Sequence, residues 1–346
     1  MKAEIIGPAG SPHVETWLTA FRAAGHSVAV ASLGDTRRHR PRALARSSWE
    51  IVQARISRPP DLTVVHSLGT HGLFALLRGL RGRVIVVPWG SEVMRAAEGG
   101  FRWKVARRLL TSADLVLVTS RTMAQSLEER WPGAARHLRV ISWGADTTLF
   151  RPPRDGTAAS ETRQKLGLSD DEILVVSARG MRPVYQPSLI ERAYLDARKV
   201  NPRLRLFVAG YDDDVRRPAE TEQAYCLDGV RNIGWLSKAN LAELYSVADA
   251  VVSMPTHDQR STSVLEAASA GALLLLSDIP ANIELSDDGL DCALLSASDQ
   301  LGLASALRNL AQRTDSERET AHQWVQKHEA QSKQMRAIVE ACLGQP

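Results

Sequence analysis

Cysteine is scarce in this chain of 346 residues, which has only Cys226, Cys292 and Cys342. None stands in a CxxC pair, so there is no disulfide framework or thiolate metal cluster to read, and the usage fits a reducing cytosol. No apolar run approaches the ~20 residues that a membrane-spanning helix needs. The N-terminus, Met1-Lys-Ala-Glu-Ile-Ile-Gly7, opens directly on a strand and does not read as a signal peptide. Internal repeats and low-complexity tracts are absent. The first loop, Gly7-Pro-Ala-Gly-Ser-Pro12, lacks the GxGxxG spacing of nicotinamide-dependent oxidoreductases. What remains is a globular protein, expected to be cytoplasmic, of ordinary composition: 44% hydrophobic and 24% charged.

Charge is unevenly spread. Residues 1–150 carry 21 Lys/Arg against 11 Asp/Glu, and the remainder 22 against 28. A basic N-terminal half points to an anionic partner, whether a phosphorylated acceptor, a lipid surface or nucleic acid; a solvated basic surface leaves the same trace. Two stretches carry much of it, Arg37-Arg-His-Arg40-Pro-Arg42 and the amphipathic Phe101-Arg-Trp-Lys-Val-Ala-Arg-Arg-Leu-Leu110. Both suit anionic headgroups, but the second reads more simply as a core-packed helix with a solvated basic face.

The chain is too long for one ordinary core and suits two domains. Short β-branched runs at 3–6, 28–31, 62–65, 84–87, 115–118 and 138–141 read as buried parallel strands. Helical stretches at 14–24, 69–79, 101–112 and 121–130 separate them, giving a doubly wound α/β domain. Residues 151–160 read as a Pro/Gly/polar linker. The alternation then restarts, with strands at 173–177, 204–209, 249–254 and 272–276 and helices at 187–200, 239–247 and 262–270. The tail 299–345 is nearly all helix.

The densest chemistry lies in Asp258-Gln-Arg-Ser-Thr-Ser-Val-Leu-Glu266-Ala-Ala-Ser-Ala-Gly271. It sets one carboxylate in a loop and another on an apolar helix, in the order strand, polar loop, helix, strand. Ligands in open α/β sheets bind at the carboxyl ends of strands, where helix N-termini favour anions. A phosphorylated or hydroxyl-rich ligand is expected along Asp258 to Ser263.

Together these pieces resemble the retaining glycosyltransferases of family 4, with the GT-B fold. The resemblance runs through Gly7-Pro-Ala-Gly10-Ser-Pro-His13 with Gly25-His26-Ser-Val28, then Ala113-Asp114 to Ser120, then Gly144-Ala-Asp146-Thr-Thr-Leu-Phe150-Arg-Pro152. It continues through Asn232-Ile-Gly234-Trp-Leu, Leu244-Tyr245-Ser-Val-Ala248-Asp249 and the Asp258/Glu266 pair. Trp89-Gly90-Ser91-Glu92 and Arg179-Gly-Met-Arg182-Pro-Val-Tyr185-Gln-Pro187 narrow it to one branch. The resemblance implies two Rossmann-like domains facing a cleft: an acceptor-side domain over 1–152 and a nucleotide-sugar domain over 153–325. A C-terminal helix over 326–346 packs back on the first.

The same resemblance assigns roles. Glu266 binds the ribose hydroxyls, although Ser263-Val-Leu-Glu266 also spells a capping box. Asp258 stands where the family usually has Glu touching the donor sugar; its other reading is a cap on the next helix. Ser261, Thr262 and Ser263, with Arg260, line the donor pocket, and the three hydroxyl residues could also act as N-caps. Arg179 matches the diphosphate arginine. The usual partner lysine is missing, with Val184 and Tyr185 in its place, so Arg182 is the candidate substitute. Gly10 lets the first loop approach the phosphates, His13 follows as a candidate acid/base group, and Gly210 joins the donor set. His66, Trp89, Gly90 and Glu92 form the acceptor side, with domain packing as the other reading of Trp89. Asp212-Asp213-Asp214 looks like a metal-binding DxD, but in this fold it reads as a solvated loop, so no metal or other cofactor is expected.

The expected activity is metal-independent, retaining transfer of a sugar from a nucleoside diphosphate sugar, UDP favoured and GDP next. The acceptor hydroxyl belongs to a glycan, a lipid-linked saccharide or a secondary metabolite. The implied partners are that donor and acceptor, not nucleic acid. Peripheral contact with the inner face of a membrane through the basic domain is also implied. A nucleotide-sugar 2-epimerase and a non-catalytic glycosyltransferase-like partner protein are the alternatives.

Overall fold

A computed structural model describes residues 1–33, 49, 51–52, 56, 58–95, 98–210 and 229–344. Arg37–Arg42, Asp212–Asp214 and Cys226 lie outside them. The chain forms two compact units, Met1–Ser142 with Lys333–Pro346, and Trp143–Ser332.

The first unit holds six parallel strands, β1 (Lys2–Ile6), β2 (Ser27–Ala31), β3 (Leu62–His66), β4 (Arg83–Val87), β5 (Leu115–Val118) and β6 (Leu138–Val140), in the order β2-β1-β3-β4-β5-β6. β3 and β5 are buried along their whole length, which is why their sequences are rich in Leu and Val and show no apolar–polar alternation. Among the described residues the helices that follow the strands are α1 (Pro12–Ala23), α2 (Thr70–Arg78), α3 (Gly90–Arg95), α4 (Phe101–Ser112) and α5 (Arg121–Arg130). α1 buries Val14, Trp17, Leu18 and Phe21, one face at helical spacing. α4 buries Val105, Ala106, Leu109 and Leu110 and leaves Arg102, Lys104, Arg107 and Arg108 exposed, a core-packed helix with a solvated basic face.

The second unit repeats the plan. Its strands are β7 (Ile173–Ser177), β8 (Leu204–Ala209), β9 (Val230–Gly234), β10 (Ala250–Ser253), β11 (Leu273–Ser277) and β12 (Ala293–Leu295), all parallel, in the order β12-β11-β10-β7-β8-β9. Its helices are α6 (Gly156–Lys165), α7 (Pro187–Arg198), α8 (Lys238–Ser246), α9 (Thr262–Ser269), α10 (Pro280–Asp287), α11 (Gln300–Arg308) and α12 (Asp315–His328). A final helix, α13 (Gln331–Leu343), runs into the segment that belongs to the first unit. Among the described residues no helix is long and apolar enough to cross a membrane.

Both sheets share one device. An aspartate just before a strand accepts an N–H from the first or second residue of a neighbouring strand: Asp61 Oδ2 from Lys2 N (2.7 Å), Asp114 Oδ2 from Val84 N (2.7 Å) and Asp249 Oδ2 from Leu174 N (2.9 Å). A strand end would otherwise leave that donor without a partner. The Ala-Asp pairs at 113–114 and 248–249 are therefore register devices. Asp249 is buried, and burial raises its pKa against the opposing pull of Leu174 N–H, Arg318 and Arg163.

The structure differs from the sequence reading in two stretches. Residues 151–160 are not all linker: α6 starts at Gly156 because Asp155 caps it, its Oδ1 accepting Ala158 N–H at 2.9 Å. Residues 143–152 belong to the second unit. Ala145 N–H donates to Glu329 O (2.9 Å) and Gln331 N–H to Ala145 O (2.8 Å). Gly144, at φ 66°, permits that crossing, since a Cβ there would lie 2.4 Å from Glu329 O.

Candidate active site

In the second unit, β7 and β10 lie side by side at the centre of the sheet, and the chain leaves them toward opposite edges. This is the switch point at which open α/β sheets bind ligands. Arg179 follows β7. Its Nη1 donates to Ser261 Oγ and to Ser263 Oγ (2.5 Å), and its Nη2 to Asp258 Oδ2. Asp258 Oδ1 accepts Gln259 N–H at 2.9 Å. Asp258 is thus engaged with Arg179 and its own loop, not as a helix cap. Tyr185 carries both arginines on its ring: Arg179 Cζ lies 4.6 Å and Arg182 Cζ 5.0 Å from the ring centroid. Arg182 Nη2 also donates to Tyr185 Oη at 2.7 Å. The arginine loop is shaped by glycines, since a Cβ on Gly210 (φ 132°) would fall 2.5 Å from Gly180 Cα. Gly210 therefore acts through close packing of the loops after β7 and β8.

Glu266 lies one turn further along α9 and is only 2% exposed. The helix starts at Thr262, with Ser261 at the N-cap position but its hydroxyl turned to Arg179 rather than to the helix, so Glu266 is too far along to close a capping box with Ser263. Its Oε1 instead pairs with Lys238 Nζ. Burial raises its pKa, opposed by Lys238 and Arg179 and reinforced by Asp146. Tyr245 is buried nearby, its phenol pushed up by burial and then by Glu266. Arg260 does not join this group. Its guanidinium is held by Glu329 Oε1 (2.6 Å), Asp288 Oδ2 and Glu284 Oε1 (3.7 Å), which anchors the Asp258–Ser263 loop to α10 and to the chain after α12.

The switch point of the first unit, between β1 and β3, is built from rings. His66 ends β3, fully buried, with Trp17 packed edge-on at 4.6 Å. Trp89 stands 6.4 Å from His66, and His13, in the first turn of α1, meets Trp89 edge-on at 5.8 Å. Burial, then the neighbouring His13 and His71, lower the His66 pKa to about 3, so His66 is neutral at ordinary pH. Gly7 makes room for it, since a Cβ there would be 3.0 Å from His66 Cβ. Gly10 has φ 74° and faces open space, which leaves its loop accessible.

Both carboxylate oxygens of Glu92 are engaged within the protein. Its Oε1 accepts the Ser67 hydroxyl and its Oε2 accepts Leu68 N–H at 2.7 Å. Its pKa is raised by burial against these bonds. Ser67 has φ 106°, a conformation few non-glycine residues hold without support, and Glu92 supplies that support. Of the acceptor-side set, Trp89 and Gly90 are half-buried, whereas His66 forms the floor and Glu92 a clamp.

Residues 159–331 match the family described as glycosyl transferases group 1, and residues 10–149 match glycosyltransferase family 4. The chain belongs to the group 1 glycosyltransferases. Among curated relatives it is similar to a D-inositol 3-phosphate glycosyltransferase of Corynebacterium kroppenstedtii, 24% identical over 218 residues; the match covers 60% of this chain and 48% of the relative. The chain thus spans about half the length of that relative. Among solved structures it is similar to HepE of Anabaena in complex with UDP and glucose, at a TM-score of 0.76 with 15% identity over 99% of both chains. Sucrose-phosphate synthase of Thermosynechococcus elongatus gives 0.76 with 18% identity, also over 99% of both. These two likenesses show the GT-B fold.

Two residues of this glycosyltransferase escaped the sequence reading. Lys238 stands at the first position of α8 behind the cap Ser237, whose Oγ accepts Asn240 N–H at 3.2 Å; the Ser-Lys-Ala-Asn start marks a helix but not a partner for Glu266. Ser67 follows the apolar run of β3, and nothing in its type announces a positive φ. Among the described residues no three His, Cys, Asp or Glu side chains are grouped as metal ligands would be.

Proposed function

We propose that this glycosyltransferase moves a sugar from a nucleoside diphosphate sugar, UDP favoured, to an acceptor hydroxyl, with retention of configuration and without a required metal. The observation that carries the reading is the convergence of Arg179, Asp258, Ser261 and Ser263 on one switch point, with buried Glu266 on the helix that follows. HepE, similar in fold, is described in complex with UDP and with UDP-glucose.

On this reading Glu266 accepts two charge-assisted hydrogen bonds from the ribose diol. Arg179, prearranged by Tyr185 and the two serines, neutralises the departing diphosphate, the task a metal would otherwise perform. Asp258 exchanges its arginine partner for hydroxyls of the donor sugar. The departing phosphate oxygen takes the acceptor proton, and the acceptor enters from the same face. Acceptor binding falls to the first unit, with Trp89 as an apolar platform for a sugar or aglycone ring.

Melting of wild type and Glu266→Gln with UDP, GDP and ADP, in EDTA throughout, checks this. UDP or GDP should stabilise wild type and lose about 10- to 100-fold in affinity in the variant, as expected for a lost charged hydrogen-bond acceptor worth ~1.5–3 kcal/mol. Identical shifts in both proteins would remove Glu266 from the donor site.

A further inference from the structure

Glu266 is almost wholly buried, yet the cation on it is not: the Glu266 side chain is 3% exposed and that of Lys238 is 49% exposed. The ammonium thus lies on the solvent side of the carboxylate. It is steered there from two directions. Lys238 is fixed at the start of α8 by the Ser237 cap, and its Nζ stands 5.4 Å from the centroid of the Phe150 ring. The carboxylate oxygen that Lys238 holds is one that a vicinal diol would need.

We propose that Lys238 is a specificity-determining residue of the donor site. It occupies Glu266 and yields it only to a ligand that brings an anion to receive the displaced ammonium, so a nucleoside diphosphate is accepted and a bare nucleoside is not. The inference rests on Glu266 as the ribose carboxylate. Its physical basis is an exchange of ion pairs. A neutral diol arriving alone must break the Lys238–Glu266 pair and leave the ammonium in water. A diphosphate lets the lysine, a compact charge on a flexible four-carbon stem, pass from carboxylate to phosphate. Lys238 thereby adds a cation from another helix to Arg179 and Arg182 of the loop after β7.

The experiment measures affinities of uridine and UDP, or of guanosine and GDP, for wild type, Lys238→Met and Lys238→Arg by calorimetry. In Lys238→Met the nucleoside should bind as well as or better than in wild type, while the diphosphate weakens about tenfold, the scale of one lost charge contact. The preference for diphosphate over nucleoside then narrows by at least that factor, and Lys238→Arg restores most of it. Lys238 also draws the Glu266 pKa down. Diphosphate binding by Lys238→Met should therefore begin to weaken at a higher pH than in wild type as acid is added. An unchanged preference overturns the proposal, as does equal weakening of both ligands without a displaced pH profile, the mark of a purely structural lysine. If wild type binds neither diphosphate, the donor-site reading itself falls. Binding by wild type that disappears in Glu266→Gln, with the preference unmoved in Lys238→Met, removes the lysine's role alone.

Discussion

The two sheets have the same plan and opposite chemistry at the same place. Six parallel strands turn back at a central pair in each unit. In the second unit the chain beyond that pair carries Arg179, Asp258 and the helix bearing Glu266, with Lys238 reaching in from α8. In the first unit the equivalent position is lined by His13, Trp17, His66 and Trp89. The half-buried carboxylate of Glu92 there is consumed by Ser67 and the backbone of Leu68. A topological switch point is therefore only a location. What it binds is decided by which side chains end the strands and whether their polar atoms are already satisfied within the protein.

The comparison breaks first, and most heavily, in acid. His66 has a lowered folded pKa of about 3 against 6.5 unfolded. Its stabilising contribution is complete above pH 6.5 and is lost as pH falls toward 3, because the unfolded chain takes up a proton that the fold refuses. The loss approaches ~1.4 kcal/mol per pH unit below 6.5. Melts of wild type and His66→Phe between pH 6.5 and 5, followed by tryptophan fluorescence, should show wild type losing stability more steeply. Parallel slopes would mean that His66 is not buried as a neutral ring. Glu92 works in the opposite sense, since its pKa is raised and it favours the fold as pH falls, but it is common to both proteins and cancels.

Next in size is Arg179→Ala. Turnover with a UDP-sugar should fall about 10²- to 10³-fold, as for other preorganised groups that stabilise developing charge, with little change in melting temperature. Activity within a few-fold of wild type would move the diphosphate contact to another cation. Gly210→Ala presses a Cβ against Gly180 at 2.5 Å and places alanine at φ 132°. It should cost about 1–3 kcal/mol of stability and lower donor affinity by displacing the Arg179 loop; an unchanged melt would mean that the loop adapts. Smallest is Trp89→Ala, which should raise acceptor KM up to about tenfold, the worth of a stacking contact, and leave UDP affinity intact. A change confined to UDP would reverse the assignment of the two units.

Much of this was legible in sequence because parallel strands buried on both faces announce themselves as short β-branched runs. The segment 115–118 and the helices at 101–112 and 121–130 occupy the residues expected of them. Although the donor roles of Arg179 and the serines came from the resemblance, their positions were legible too, the first after a strand end and the others in a polar loop before a helix. Pairings across the chain were not. Arg260 sits in the donor loop but turns to Glu329, 69 residues away. Glu266 takes its cation from Lys238, 28 residues away. Glu92 looked available because residue type does not reveal that neighbouring N–H and O–H donors will claim both its oxygens. α6 was hidden because Pro152, Asp155 and Gly156 read as loop, although Asp155 is the residue that starts the helix.

The most direct measurement is hydrogen exchange of the wild-type chain with and without UDP. The account predicts slower exchange at the Arg179 segment, residues 176–186, and along 256–268, with no comparable change at 66–69 or 88–92. Protection confined to the loops after β3 and β4, with none around Arg179 and Glu266, would contradict it.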